Sequence, residues 1–378
     1  MANIARIPIT NIYGGDYTGR ILVGAEQQPM NVLLDTGSST LALDGTKYHP
    51  NLAAGDQPTT LAQTDSYGDG SSWTGAVFKT KLAIGEGNDP VILQNGNAAI
   101  AYTASSDMFG QTDGILGLAY AALDDAFNMP QNTWSNQYTD VQVRSGQHQT
   151  IQPYLTQLSG EGVVSDKISF LTRRSFPHVG GGDGNDPLNQ GWMIVGGGEE
   201  STDLYTGTFQ TVKVLSQDWY STNLKAVIVG NADPIAARLQ GSQGMPSNSI
   251  VDSGTNSLCL GTQMLKAFIS KFSTAQQQQL NSAIHGQKLL DNSALNLADW
   301  PSLTFILQGD TDDVRVKVAP SDYWQVNSQQ AGFTAIAISP NSDGNAILGL
   351  PLMNGYFCIF DGEADNGFGA IKFATKKA

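Results

Sequence analysis

Two short segments of the chain each place an aspartate between an apolar run and a small, hydroxyl-bearing turn. The first aspartate is Asp35 and the second is Asp252, and the residues around them match position by position in identity or size. The tetrapeptide Ile-Leu-Gly-Leu follows each segment, at residues 115–118 and 347–350. Two matches in the same order indicate a chain built from two related halves, each with one aspartate in a tight turn after a buried strand.

Such a pair of carboxylates could perform hydrolysis by general acid–base catalysis. If a pseudo-twofold axis brings the two groups within hydrogen-bond distance, they hold one proton between them, because like charges so close cannot both ionise easily. The ionised carboxylate could take a proton from a bound water while the protonated one polarises a carbonyl group. This chemistry needs no covalent intermediate.

The residues beside each aspartate suit a supporting role. The glycine of each turn lets the backbone bend sharply and approach a substrate. The hydroxyl directly after each aspartate could bond across the twofold axis, and the hydroxyl after the glycine could donate to the outer carboxylate oxygen. These supporting residues are Thr36, Gly37 and Ser38 in the first turn and Ser253, Gly254 and Thr255 in the second.

Short strands dominate the pattern elsewhere. Apolar runs, many of them bounded by Gly or Asn, predict strands at residues 19–24, 30–34, 76–84, 91–93, 168–171, 193–195 and 357–360. Helical periodicity is best at residues 262–272, and residues 274–284 continue it. The sequence therefore predicts an all-β protein with a few short helices.

Composition excludes several classes of protein. Of the 378 residues, 40% are hydrophobic, which is enough for a core, and 42 are glycine, which suits many turns. The net charge of −14 argues against nucleic-acid binding and against docking on anionic membranes. No apolar run approaches a membrane-spanning length. The cysteines and histidines lack metal-ligand spacing, so we expect neither a metal nor a cofactor.

The motifs together resemble those of the pepsin-like aspartic proteinases, over nearly the whole chain. The segments that carry the resemblance are Asp35-Thr-Gly-Ser-Ser39, Asp113-Gly-Ile-Leu-Gly-Leu-Ala-Tyr120, Ile250-Val-Asp-Ser-Gly-Thr255 and Ala346-Ile-Leu-Gly349. The resemblance implies a bilobal all-β fold of two pseudo-twofold-related, barrel-like lobes with the active site in the cleft between them. We expect the N-terminal lobe at residues 1–180 and the C-terminal lobe at residues 181–378.

The resemblance also implies an activity. We expect an aspartic endopeptidase in which Asp35 and Asp252 activate a water at acidic pH, with large apolar residues preferred around the cleaved bond. Proteins or peptides would be the substrates, and pepstatin-like inhibitors should bind. Because the chain holds both halves, we expect a monomer. The alternative is a catalytically inactive pepsin-like binding or inhibitor protein, which the intact aspartates and their hydroxyl neighbours disfavour.

The segment at residues 67–75 resembles the flap of the fungal members. The resemblance implies that Tyr67, Gly68 and Asp69 contact the substrate and that Ile115 could wall a pocket. Asp69 has two interpretations, since it could accept a substrate lysine, as in the fungal enzymes, or bond its own backbone in the turn. The glycine-rich run at residues 180–186 favours a solvated loop over a calcium loop.

Three departures from the family pattern bear on the interpretation. The family usually has a tryptophan, bonded to the flap tyrosine, seven residues after the first aspartate, and this chain has Ala42 there. Trp73 is the candidate substitute. The usual disulfides are absent, so we expect Cys259 and Cys358 to be reduced. No signal or prosegment precedes the first motif, which resembles bacterial homologues of the shewasin type and predicts a cytoplasmic protein. If a signal and a prosegment had been removed from this sequence, the protein would instead be secreted.

Overall fold

The computed structural model describes residues 3–12, 14–85, 90–179, 186–237, 247–286, 289–342 and 344–377. Within it the chain forms two compact units. Unit 1 comprises Met1–Ile7, Thr18–Asp166 and Ile194–Gly197, and unit 2 comprises Pro8–Tyr17, Lys167–Met193 and Gly198–Ala378. The main change of unit follows Asp166. The predicted limit between residues 180 and 181 lies outside the described residues, as does the glycine-rich run at 180–186 except for its last residue.

Strands form most of the regular structure, which confirms the prediction of an all-β protein with short helices. The first ten strands are β1 (Ala5–Asn11), β2 (Tyr17–Val23), β3 (Gln28–Asp35), β4 (Leu41–Asp44), β5 (Gln57–Ser66), β6 (Ser72–Ile84), β7 (Val91–Ala104), β8 (Gly114–Gly117), β9 (Asp125–Asn128) and β10 (Gln147–Thr150). The next ten are β11 (Lys167–Leu171), β12 (Gln190–Val195), β13 (Tyr205–Lys213), β14 (Ser221–Thr222), β15 (Leu224–Val229), β16 (Ile235–Ala236), β17 (Ser249–Val251), β18 (Leu258–Gly261), β19 (Leu290–Asp291) and β20 (Leu303–Leu307).

The remaining strands and the helices lie mostly in the last third of the chain. The strands are β21 (Val314–Val318), β22 (Trp324–Val326), β23 (Phe333–Ile336), β24 (Ile338–Asn341), β25 (Ala346–Leu348), β26 (Tyr356–Asp361) and β27 (Ala370–Lys376). The helices are α1 (Asp140–Arg144), α2 (Tyr154–Gly160), α3 (Thr262–Ile269), α4 (Thr274–Gly286), α5 (Pro320–Tyr323), α6 (Leu350–Met353) and α7 (Ala364–Gly367). None of these described helices is both long and apolar enough to cross a membrane.

Unit 1 is built around a closed six-stranded sheet. The strand order is β2-β3-β8-β4-β7-β6, and β6 pairs back with β2, where Val23 lies opposite Leu82. Alternate side chains point into the barrel, so that Val23, Val32 and Leu34 are fully buried. Strands β5, β9 and β10 continue the sheet outward from β6. The barrel supplies the rigid frame on which the first aspartate and the flap segment are mounted.

The predicted duplication is present in the fold. In unit 1, β3 lies parallel to β8 with Leu33 opposite Ile115, and in unit 2, β17 lies parallel to β25 with Ile250 opposite Ile347. A third strand, β4 or β18, runs antiparallel to β8 or β25. The same three-stranded arrangement therefore ends each parallel strand at an aspartate turn.

The strands of unit 2 form several small sheets. Three of these sheets have the orders β14-β17-β25-β18-β24, β16-β15-β20-β21 and β19-β23-β22, and the run β12-β11-β26-β27-β13 is part of a longer sheet. The predicted helical stretch is confirmed, but it forms two helices, α3 and α4. The break has a local cause, because the Ser273 hydroxyl and the Gln276 side chain cap the start of α4 reciprocally.

Candidate active site

The first aspartate turn holds both carboxylate oxygens of Asp35. The Gly37 backbone N–H donates to Oδ1 at 2.7 Å, and the Ser38 hydroxyl donates to Oδ2 at 2.5 Å. Asp35 is only 7% exposed, and its backbone carbonyl accepts from the N–H of Leu118, the residue after β8. The side chain is therefore fixed in one orientation by the turn that follows its own strand.

The second turn repeats this pattern around Asp252. The Gly254 N–H donates to Oδ1 at 2.8 Å, and the Thr255 hydroxyl donates to Oδ2 at 2.6 Å. Asp252 is also 7% exposed. Thr36 and Ser253, the hydroxyl residues directly after each aspartate, are both buried. The structure thus gives the predicted supporting residues of each turn the same relation to their own aspartate.

The glycines of the two Ile-Leu-Gly motifs close the turns, a role that sequence reasoning missed. A Cβ atom on Gly117 would lie 2.4 Å from the backbone of Ser39 and Thr40, and one on Gly349 would lie 2.1 Å from the Thr255 carbonyl oxygen. No side chain fits at such distances. The Gly117 N–H donates to the Thr40 carbonyl at 3.0 Å. The sequence did carry a signal for this role, because Gly117 and Gly349 occupy the same position in the two motifs.

The predicted flap is a β-hairpin made by β5 and β6. Tyr67 begins the connecting turn, and its N–H donates to the Ser71 carbonyl at 2.9 Å. Gly70 has φ of 88°, a left-handed conformation that glycine adopts without strain. At the exposed tip, Asp69 Oδ1 accepts from the backbone N–H and the hydroxyl of Ser71, at 2.8 and 2.7 Å. Asp69 therefore serves the turn, and its role toward a substrate stays a prediction.

Comparison with known proteins shows which family the chain belongs to. The family model described as eukaryotic aspartyl protease matches residues 16–147 and 185–375. The chain belongs to this family. It is an aspartic-type endopeptidase, a pepsin-like hydrolase whose substrates are peptides or proteins.

Three curated relatives illustrate the similarity. Pepsin B of Canis lupus familiaris is 24% identical, over 96% of this chain and 83% of its own. Gastricsin of Mus musculus is 26% identical, over 91% of this chain and 78% of its own. Rhizopuspepsin-5 of Rhizopus niveus is 25% identical, over 71% of this chain and 60% of its own. The recognition of a pepsin-like enzyme is confirmed.

In this aspartyl protease, the partner of the flap tyrosine comes from the flap itself. The Trp73 indole N–H donates to the Tyr67 hydroxyl at 3.4 Å. Trp73 is 2% exposed, and it packs in one cluster with Ala42, Ile115 and other apolar side chains of the barrel, with Tyr67 against them. Because Ala42 is small, it leaves room for an indole from β6. Ile115, the predicted pocket wall, is buried in this cluster.

The Tyr67 hydroxyl is held in its protonated, neutral form. Burial raises its pKa well above the usual value for tyrosine, and the negative charges of Asp65 and Asp35 raise it further. Hydrogen bonds with Trp73 and Ser38 offset part of this increase in the pKa. The hydroxyl is therefore a neutral hydrogen-bonding group whose pKa depends on the charge of Asp35.

Proposed function

We propose that this aspartyl protease cleaves peptide bonds at acidic pH through a dyad in which Asp35 and Asp252 share one proton. The observation that carries the proposal is the matched pair of turns. In each turn a glycine N–H and a hydroxyl donate to the two oxygens of one carboxylate. Two differently used aspartates would not need identical supports, whereas two halves of one acid–base unit would.

The proposed reaction needs no group beyond the two aspartates and a water. The ionised carboxylate takes a proton from the water, and the oxygen of the water attacks the carbonyl carbon of the substrate. The protonated carboxyl group donates to the carbonyl oxygen as the tetrahedral intermediate forms. Breakdown of the intermediate breaks the C–N bond and passes a proton to the leaving nitrogen. The pair titrates as a unit, which gives activity a bell-shaped pH dependence.

The flap supports a preference for extended peptides with large apolar residues at the cleaved bond. A hairpin can bond a peptide backbone as an added strand, which provides affinity with little sequence preference. Selectivity then falls to the side chains near Asp35, and those that the described part of unit 1 offers are mainly apolar, as in the cluster of Ile115, Trp73 and Tyr67. Binding of pepstatin, which presents an extended apolar peptide, follows from the same arrangement.

We also propose a monomer in a reducing compartment, such as the bacterial cytoplasm. Cys259 and Cys358 are both free, and Cys358 is fully buried in β26, where burial raises its pKa and keeps it a thiol. Titration with a thiol reagent in denaturant without reductant should count two thiols per chain. A count of zero would contradict the proposed compartment.

The central experiment measures digestion of denatured haemoglobin and of a peptide library from pH 2 to 8, with and without pepstatin. Asp35→Asn and Asp252→Asn should each lower kcat by about a thousandfold or more, because either carboxylate works only as half of a pair. Asp233→Asn, at an exposed aspartate of unit 2, is the matched control and should keep full activity. Near-native activity of Asp252→Asn, with the fold intact by circular dichroism, would refute the dyad.

A further inference from the structure

One buried carboxyl group in unit 1 plays no part in the mechanism above. Asp124 is 2% exposed and lies between the short helical turn at residues 121–123 and β9. Its Oδ1 accepts from the Thr40 hydroxyl at 2.8 Å and from the Gln63 side-chain amide at 2.7 Å. Its backbone is fixed as well, because its carbonyl accepts from the Ile151 N–H at 2.9 Å.

The two partners of Asp124 belong to two different parts of the candidate site. Thr40 ends the turn that begins at Asp35, and its carbonyl accepts from the N–H of Gly117. Gln63 lies in β5, the strand that leads into the flap at Tyr67. The Gln63 amide also reaches the Thr40 hydroxyl at 3.2 Å, so that the three side chains form a closed triangle. Asp124 therefore links the catalytic turn to the flap strand, beside the direct contact of Gln63 with Thr40.

The described partners of the Asp124 carboxyl group are neutral. Its pKa is raised to about 7, mainly by burial and to a smaller extent by the charges of Asp125 and Asp65, and the hydrogen bonds from Thr40 and Gln63 offset part of this increase. The ionisable groups on the neighbouring elements are Asp35 on the turn, Asp65 on β5, Asp125 on β9, Asp140 and Arg144 on α1, and His148 on β10.

The two basic groups of this neighbourhood are engaged elsewhere, at the surface. Arg144 bonds Asp140 at 2.8 Å, and His148 bonds Asp125 at 2.8 Å. All four of these side chains are about half exposed, so water screens the charges. Ionisation of Asp124 thus places a charge in a buried triangle of neutral groups.

We propose that Asp124 is a positioning residue which, as a neutral carboxylic acid, holds the flap strand against the catalytic turn, and that its ionisation favours release of the flap strand. The inference rests on the proposed function in one respect, because it takes Asp35 and Tyr67 as the groups that act on the substrate. It would make the geometry of the flap depend on a proton outside the catalytic pair.

The direction of the pH effect follows from the two states of the group. In the closed state the pKa is about 7, and in an opened, hydrated state it returns to the usual value near 4. Below about pH 4 both states are protonated and the pH has no effect. Between about pH 4 and 7 the opened population rises by up to tenfold per pH unit, and above about pH 7 it levels off.

Hydrogen exchange of the backbone amides of β5 tests this without relying on catalysis. The full chain carries Asp252→Asn in every sample to prevent self-digestion, and exchange is corrected for the intrinsic effect of pH. Protection in β5 should fall between pH 4 and 7 in this background, and it should stay constant when Asp124→Asn is added. Asp125→Asn is the matched control, since it removes a neighbouring half-exposed carboxylate and should leave the fall in place.

A second variant covers the case in which Asp124→Asn does not fold. Thr40→Val removes one hydrogen bond that lowers the pKa of Asp124, so protection should level off at a higher pH. The proposal would be overturned if protection of β5 fell between pH 4 and 7 equally with and without Asp124→Asn. It would also be overturned if protection in the Asp252→Asn background did not change with pH.

A kinetic measurement on the active enzyme separates positioning from simple folding. Between pH 5 and 7, Asp124→Asn should keep a lower KM than the unaltered enzyme, with kcat changed less, because a released flap mainly weakens binding. Equal KM values across this range would count against the proposal. If Asp252→Asn proved active while exchange behaved as expected, the dyad would fail and the role of Asp124 would stand.

Discussion

Replacement of Trp73 by phenylalanine tests whether the indole N–H orients the flap tyrosine. The variant keeps an aromatic ring in the cluster with Ala42 and Ile115 but removes the 3.4 Å hydrogen bond to the Tyr67 hydroxyl. A neutral hydrogen bond contributes about 0.5–1.5 kcal/mol, which corresponds to a factor of roughly 2–10 in an equilibrium constant. Because the orientation of Tyr67 then varies, kcat/KM should fall by about that factor.

The assay compares kcat/KM for one apolar peptide at the optimal pH, with stability measured separately by urea unfolding. Trp134→Phe is the matched control, since Trp134 packs edge-on against Phe78 at 5.3 Å and is part of unit 1. It should alter stability without a comparable loss of activity. If Trp73→Phe and Trp134→Phe retain equal kcat/KM, the hydrogen bond does not orient Tyr67.

Combining Trp73→Ala with Ala42→Trp tests whether the two positions share one volume in the barrel. Trp73→Ala should destabilise the protein by about 3–5 kcal/mol, because it empties a site that is 2% exposed. Adding Ala42→Trp places an indole where the family usually has one, against the space that Trp73 vacates. The double variant should recover part of both stability and activity. No recovery in either quantity would mean that the two positions do not share one volume.

Two further predictions concern single residues of the site. Asp69→Thr should lower the ratio of kcat/KM for a lysine peptide to that for its phenylalanine counterpart, because it removes a carboxylate that could pair with the lysine. An unchanged ratio would leave Asp69 as a turn residue only. Gly117→Ala should lower the free energy of unfolding by at least about 1–3 kcal/mol, because its Cβ would lie 2.4 Å from the backbone of Ser39 and Thr40. A thermal unfolding midpoint equal to that of the unaltered protein would refute this reasoning.

The sequence allowed the parts of the site that depend on local spacing to be predicted. The aspartate turns, the strands that lead into them and the flap hairpin each follow from fewer than about fifteen consecutive residues, because turn chemistry and strand alternation are short-range. The break between α3 and α4 was also local, and the cap at Ser273 could have been recognised. These elements needed no knowledge of which strands are neighbours.

Contacts between side chains that are distant in the sequence could not be predicted from such short-range patterns. The sequence offered Trp73 as a candidate, but only the pairing of β6 with its neighbours brings its side chain into one cluster with Ala42. No motif in the sequence singles out Asp124, yet Thr40 and Gln63 bond its buried carboxyl group. Both cases depend on side chains separated by tens of residues, which periodicity does not report.

The two halves of the duplication differ at one informative position. Ala42 lies opposite Ile115 in the antiparallel pair of β4 and β8, and Cys259 lies opposite Ile347 in the matching pair of β18 and β25. In unit 1 the small Ala42 leaves space for the Trp73 indole, which donates a hydrogen bond to the Tyr67 hydroxyl. In unit 2 the larger Cys259 is partly buried and accepts a hydrogen bond from the Ser339 hydroxyl at 3.1 Å. The two aspartates therefore have matching supports although the strands beside them differ, because Ala42 packs against Trp73 of the flap hairpin whereas Cys259 bonds Ser339.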